Sequence, residues 1–454
     1  MNIQRIRRIK LLAACRQEKI TLRKHLNFDA LIKILQEDFR KIHDHRAKNA
    51  SIPLADALMS GFAMFSLKHP SLLAFEKQWR DEPVSLHGVY GVENIPCDSQ
   101  MRAICDEVAP RHLRQPFRSI FRQLQRGKAL EKMVWRDGHY LLALDGTGIY
   151  SSEKVSSPYC LKKKKKNGKE EYYQQMLGAA IVHPDHREVI PLCPEMIVQQ
   201  DGTTKQDCER KAAKRFLAEF RREHPKLPCI IIEDGISSNA PHIEDLRNDG
   251  HHFILGAKPG DHVFLFEQMD MAKARGEAVE FLQPDPVKKD ILHTYRFANG
   301  LSLNKSNQEV LVNLLEYWQL DGKDKIIRFS WVTDLAITKE NAYDLMRAGR
   351  ARWRIENETF NTLKNQGYNL GHNYGLGKKH LSSVFVHLTM LAFLVDQVQQ
   401  LCCPLFQEAR TRCGRKASLW EKTRGWFDNF DCPSMEVILL TIIRRNQEAH
   451  PKLE

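Results

Sequence analysis

The sequence of 454 residues predicts an α/β fold: a sheet flanked by helices, preceded by a helical region and interrupted by a strand-rich insertion. Two observations predict it. A short apolar run closed by an acid and a glycine occurs twice, in HYLLALDGTG at 139–148 and in PCIIIEDG at 228–235. Around these runs, strand-like and helix-like periodicities alternate, which implies parallel strands joined by crossover helices. In such sheets the carboxyl ends of the strands open onto a crevice. Asp145 and Asp234 are each predicted at such an end, and share one sheet edge if their strands are parallel neighbours.

Composition narrows the class. The length suits about two to four domains with at least one large core. Hydrophobic residues make up 42% and charged residues 28%, the balance of a globular protein. The formal charge of +13 suits a polyanionic partner. The 11 cysteines include no CxxC pair, and Cys97, Cys105 and His112 do not follow a zinc spacing, so free thiols in a reducing compartment are expected. The basic N-terminus has too short an apolar piece for a secretion signal. The most apolar segment, 384–398, is interrupted by His387 and Asp396 and reads as too short to cross a bilayer. A soluble, cytoplasmic protein with no membrane contact is the expectation.

Residues 1–135 read as helical, from apolar residues at three- and four-residue spacing: Leu31, Ile34, Leu35 and Phe39, then Leu54, Leu58, Phe62 and Phe65. Within 111–132, Arg111, Arg114, Arg118, Arg122 and Arg126 line one helical face, and Phe117, Ile120, Phe121 and Leu124 another. Guanidinium forks match phosphate, so Arg114, Arg118 and Arg122 are candidate DNA contacts. The lysine run 162–166 repels itself and predicts an exposed loop or hairpin tip, with Lys163 and Lys164 as further backbone contacts. Strands are then expected over 172–182 and 187–198. A helix is expected over 205–223, with Cys208, Ala212, Phe216 and Phe220 on its buried side. A helix over 240–248 and a strand over 252–257 follow.

Residues 261–335 predict a β-rich insertion with strands at 308–319 and 325–333. One long helix is expected over 341–366, a strongly apolar one over 381–401, and a last one over 435–445 in a helical tail from 401 to 454. The core then divides into 136–260 and 336–400. The long helix carries Arg352 and Glu356, four apart on one face, and Lys364, roughly 80° round from Glu356. Two strand-end aspartates and a helix glutamate repel one another without a cation and become favourable around hard divalent ions. A pair of such ions suits in-line phosphodiester displacement. Glu195, Asp201, Asp207, Glu233 and Asp245 read as turn, cap or surface acids.

The chain resembles the DDE transposases of the IS4 type across about 138–400. LDGTG around Asp145, DGTTKQDCERKAAKRF at 201–216, IIEDG around Asp234 and RWRIENETFNTLKNQGY at 352–368 carry the likeness. The resemblance implies an RNase H-like mixed sheet flanked by helices and a nuclease and strand transferase dependent on Mg²⁺, with Mn²⁺ possible. It implies Asp145, Asp234 and Glu356 as catalytic metal ligands, and Arg352 and Lys364 as DNA contacts. Partners would be element-end and target DNA, with a homodimer pairing two ends in a bacterial, nucleoid-associated setting. An active transposase, a cellular nuclease without strand transfer and an inactive DNA-binding relative remain distinct readings. Two departures stand out. The family signature runs Tyr, two residues, Arg, three residues, Glu, six residues, Lys; here Gly349 takes the Tyr position and Lys364 falls one step late. Glu358 is therefore a rival to Glu356.

Overall fold

A computed structural model describes residues 23–47, 49–79, 84–199, 207–288, 291–320 and 326–445. The expected turn at Asp201-Gly202 and the basic N-terminus lie outside these residues. The chain opens with helices α1 (Phe28–Arg40), α2 (Leu54–Ser66), α3 (Leu72–Trp79), α4 (Val84–Tyr90), α5 (Asp98–Asp106) and α6 (Arg114–Arg126). Asn27 caps α1 by accepting from the Ala30 N–H. Helix α2 is buried at almost every position, as its apolar composition requires.

The core follows as β1 (Val134–Arg136), β2 (His139–Ser152), β3 (Leu161–Lys164), β4 (Glu170–Val182), β5 (Ile190–Pro191), β6 (Glu195–Ile197), α7 (Glu209–Glu223), β7 (Cys229–Glu233), α8 (Ala240–Asn248) and β8 (His252–Gly256). Then come α9 (Val263–Ala274), β9 (Val279–Pro284), β10 (Leu292–Asn304), β11 (Asn307–Leu320) and β12 (Ile326–Thr333). After the sheet run α10 (Ala342–Ala351), a π-helical turn at Ile355–Phe360, α11 (Asn361–Asn365), α12 (Leu381–Cys402), α13 (Pro404–Cys413), α14 (Lys416–Asn429) and α15 (Met435–Arg445).

The strands form one mixed sheet in the order β3-β4-β2-β7-β8-β12-β11-β10-β9. Strands β2, β7 and β8 are parallel neighbours, and the remaining pairs are antiparallel. The expected α/β architecture of a mixed sheet flanked by helices is therefore present. The insertion does not stand apart: β12 pairs with β8, so its hairpins continue the core sheet. Its first part is helical, because Leu265, Met269 and Ala272 bury one face of α9.

Several expectations change. β2 runs straight through Gly146, Thr147 and Gly148, which pair with β4, so Asp145 is inside a long strand. Its parallel pairing with β7 nevertheless stops at Ala143, so Asp145 still stands where the β7 side opens. The strand expected over 187–198 reduces to β5 and β6, since Pro191 and Pro194 lack the N–H a ladder needs. Cys208 is exposed at the start of α7 and not on its buried side. The long helix over 341–366 is interrupted by the π turn. Helix α12 has 22 residues, long enough to span a bilayer, yet almost all of it is buried by neighbouring helices.

The N-terminal and C-terminal helices form one layer around α12. Lys68 Nζ lies 2.5 Å from Asp396 on α12, and the Tyr368 hydroxyl donates to the same carboxylate. All three are buried, and burial lowers the Lys68 pKa against the pull of Asp396. Asp29 on α1 accepts from the Met435 N–H at 2.8 Å, tying α15 to the first helix. The loop after α11 is thus clamped to the helical layer.

Candidate active site

Asp145 and Asp234 meet at one edge of the sheet. Ala143 pairs with Ile232, so each aspartate lies two residues farther along its own parallel strand. Asp234 leaves β7 as the cap of a short turn, its Oδ1 accepting from the Ile236 N–H at 3.0 Å. That turn sits on the end of β8: a Cβ on Gly256 would lie 3.0 Å from the Gly235 nitrogen, so Gly256 lets the two backbones approach. Asp145 is mostly buried. Burial raises its pKa, Arg352 lowers it and the charge of Asp234 raises it again. This is the signature of two carboxylates held close with one cation between them and solvent.

The cation comes from the last helical segment. Arg352 Nη1 donates to Asp145 Oδ2 at 2.8 Å. Lys364 Nζ donates to Thr147 Oγ1 at 2.7 Å, two residues along the same face of β2, and burial lowers its pKa. Close approach depends on Gly178, which pairs with Asp145 across β4. A Cβ there would lie 2.5 Å from Phe360 Cε1, so the helix is seated on bare backbone.

Glu356 and Glu358 separate cleanly. Glu358 is engaged by Arg354 at 3.3 Å, and Arg354 also donates to the Pro184 carbonyl. Glu356 is exposed, one turn beyond Arg352, with no ion pair among the described residues. Among the described residues no three His, Cys, Asp or Glu side chains close around a metal position. The structure therefore places Asp145 and Asp234 on neighbouring strands, close enough to feel each other's charge, and does not gather Glu356 into a cluster with them. Three like charges repel without a cation, and Arg352 occupies the place of one. The donor set fits a hard divalent ion in kind: carboxylate oxygens at a half-open edge with an excess of negative charge.

Glu209, at the first position of α7, is a further acid of this site that sequence reasoning missed. A Cβ on Gly146 would lie 2.5 Å from its Oε2, so the glycine admits the carboxylate to the backbone beside Asp145. Burial, then Asp145, Asp234 and Glu233, push its pKa up to about 7. An acid at a helix start is ordinarily a partner of the helix dipole, which hides such a residue in sequence. Its position in the stretch 201–216 that carries the resemblance was the available signal.

Three other acids are not surface residues. Glu195 and Asp207 both bind Arg215, at 2.6 and 2.8 Å, and brace the start of α7. Glu233 is buried against His242 at 3.1 Å. Asp245 pairs with Lys214 at the surface.

The basic candidates divide. Arg114 does not face outward: it binds Glu223 in a bidentate pair at 2.7 and 3.0 Å, because the first turn of α6 lies against the last residue of α7. Arg118 is half-buried there; burial first, then the charges of Arg118 and Arg114, lower the His224 pKa, while Arg122 is exposed. The lysine run is at the expected hairpin tip, between β3 and β4, where Lys163, in β3, pairs with Glu171 at 3.0 Å. Lys164 is exposed. Beside Asp234 lies a cavity of about 420 Å³ lined by Lys258, Arg328, Trp331, Arg352 and Trp353. Trp331 fills the space above Gly349: a Cβ on that glycine would lie 2.5 Å from the indole. An indole from the sheet thus packs against the helix backbone at Gly349.

Residues 136–394 match the family model described as a transposase DDE domain. The chain belongs to the DDE transposases. In this DDE transposase the matched span runs from β1 into α12 and contains Asp145, Asp234 and Glu356. Among solved structures the chain is similar to the piggyBac transposase in a cryo-EM structure of its synaptic complex with hairpin DNA. The identity is 10% and the TM-score 0.40, covering 96% of this chain and 86% of that one. No curated protein matches the chain.

Proposed function

We propose that the protein is the transposase of an IS4-type insertion sequence. On this reading it cuts the DNA ends of its element by metal-dependent phosphodiester hydrolysis and joins the freed 3′-OH to target DNA. The observation that carries the reading is the placement of Asp145 and Asp234 just beyond the last parallel pair of β2 and β7, with Arg352 and Lys364 laid over the same edge.

Asp145 and Asp234, with Glu356 drawn in from the helix, would hold Mg²⁺ or Mn²⁺, which when bound activates the attacking oxygen and offsets charge on the leaving one. Arg352 is neutralising Asp145 until then. Freed from that carboxylate, its planar donor fork suits a scissile phosphate, and Lys364 adds a point charge beside it. Thr147 holds the Lys364 ammonium at the site edge. Glu358, committed to Arg354, is the weaker candidate for the third ligand. Exposed Arg122 and Lys164 would follow the DNA backbone, two copies would pair two ends, and the bacterial cytoplasm would be the setting.

The test incubates purified protein with the repeats that flank its own gene, Mg²⁺ and a target plasmid, and maps the products. Cleaved and joined ends are expected. Cleavage without joining would identify a nuclease instead. Asp145→Asn should abolish cleavage and leave end binding intact; retained cleavage removes Asp145 from the site. Glu356→Gln should lose activity while Glu358→Gln keeps it, and the reverse would exchange their roles.

A further inference from the structure

We infer that the π turn at Ile355–Phe360 is a one-residue insertion that returns Lys364 to the helix face of Arg352. The inference rests on the reading above, in which both cations serve the same DNA. Its geometry stands separately. The Asn361 N–H donates to the Glu356 carbonyl, a step of five residues where an α-helix takes four.

Both ends of the turn are anchored. On its near side Arg352 holds Asp145 and Ile355 packs towards Gly178. On its far side Phe360 sits on Gly178, Leu363 is fully buried and Lys364 reaches Thr147. At about 100° per residue, a regular helix would carry Lys364 roughly 120° round from Arg352. That rotation would take the ammonium off β2. One extra residue absorbed in a π turn removes about 100° of the drift and leaves roughly 20°. The same correction brings Glu356 and Lys364 from about 80° apart to about 20°. The seven residues between Glu356 and Lys364, where the family signature has six, are the sequence record of this insertion. Asn357 is the natural extra residue, exposed in the turn and bound to neither anchor.

The inference makes an unusual demand: deleting a residue from the middle of this helix should be tolerated. Deletion of Asn357 should leave a regular α-helix with Arg352, Glu356 and Lys364 still on one face. The full-length deletion variant is expected to melt within about 5 °C of the parent. It should also keep DNA affinity and Mg²⁺-dependent cleavage within about fivefold. Lys364→Ala should reduce DNA affinity by the same factor with or without the deletion. Insertion of one alanine after Asn357 should instead abolish cleavage, because it turns the far half by a further 100° or so. A deletion variant that fails to fold, or that folds but no longer responds to Lys364→Ala, overturns the inference. If the parent neither binds nor cuts DNA, the functional reading fails, and the melting comparison still decides the π turn.

Discussion

Arg352 and Asp145, 207 residues apart in the chain, meet at 2.8 Å. The contact does two things at once. It offsets the repulsion between Asp145 and Asp234, and it keeps the guanidinium proposed above as a phosphate contact at the site. Both side chains are mostly buried, so little water competes with the pair.

Arg352→Ala should therefore leave two carboxylates facing each other. In EDTA the variant is expected to lose about 1–3 kcal/mol of stability, as for an uncompensated, partly buried charge. Mg²⁺ should restore more stability to the variant than to the parent, since it binds the folded state and replaces the lost cation. Urea melts with and without Mg²⁺ measure this, and equal Mg²⁺ responses would show that the arginine does not stand in for a cation.

Glu209 sets a pH dependence. Its folded pKa of about 7 lies above its ordinary value of 4.5. The folded state then holds a proton that the unfolded chain has released. Metal-free stability should accordingly rise as pH falls from 8 towards about 4.5, with most of the change below pH 7. Glu209→Gln should flatten that slope and stabilise the protein at pH 8. Melting temperatures across this range in EDTA check it; an unchanged slope would place the titration elsewhere.

Gly178→Ala tests the seat of the helix. The added methyl would meet the Phe360 ring at 2.5 Å, so the helix must shift. Overpacking of this kind costs about 1–3 kcal/mol. Cleavage should fall far more than stability, since Arg352 and Lys364 move with the helix. Phe360→Leu in the same chain should recover part of the activity, and a variant with full activity would mean that the close approach is dispensable.

Arg114 and Arg122 should behave differently although they share one predicted face. Arg114→Ala breaks the bidentate pair with Glu223 and should lower the melting temperature with little change in the salt dependence of DNA binding. Arg122→Ala should leave stability unchanged and reduce the salt slope by about one. Titrations at several salt concentrations separate the two; the opposite pattern would return Arg114 to the DNA face.

The local code of this chain was enough to point to much of the candidate site. Apolar runs ended by acid and glycine pointed to Asp145 and Asp234, because a buried strand must be apolar; β7 does leave the sheet at Asp234, whereas β2 continues past Asp145 to Ser152. Four-residue spacing placed Arg352 and Glu356 on one side of a helix. Neighbour relationships in sequence could not say which arginine of α6 would face α7, that Glu209 would press against Gly146, or that Trp331 would cover Gly349. Those contacts join segments far apart in the chain, and packing selects them only after the sheet has formed. The same holds for the π turn. Periodicity assumes an unbroken helix, and the extra residue becomes visible only when Gly178 and Thr147 hold its two halves in register.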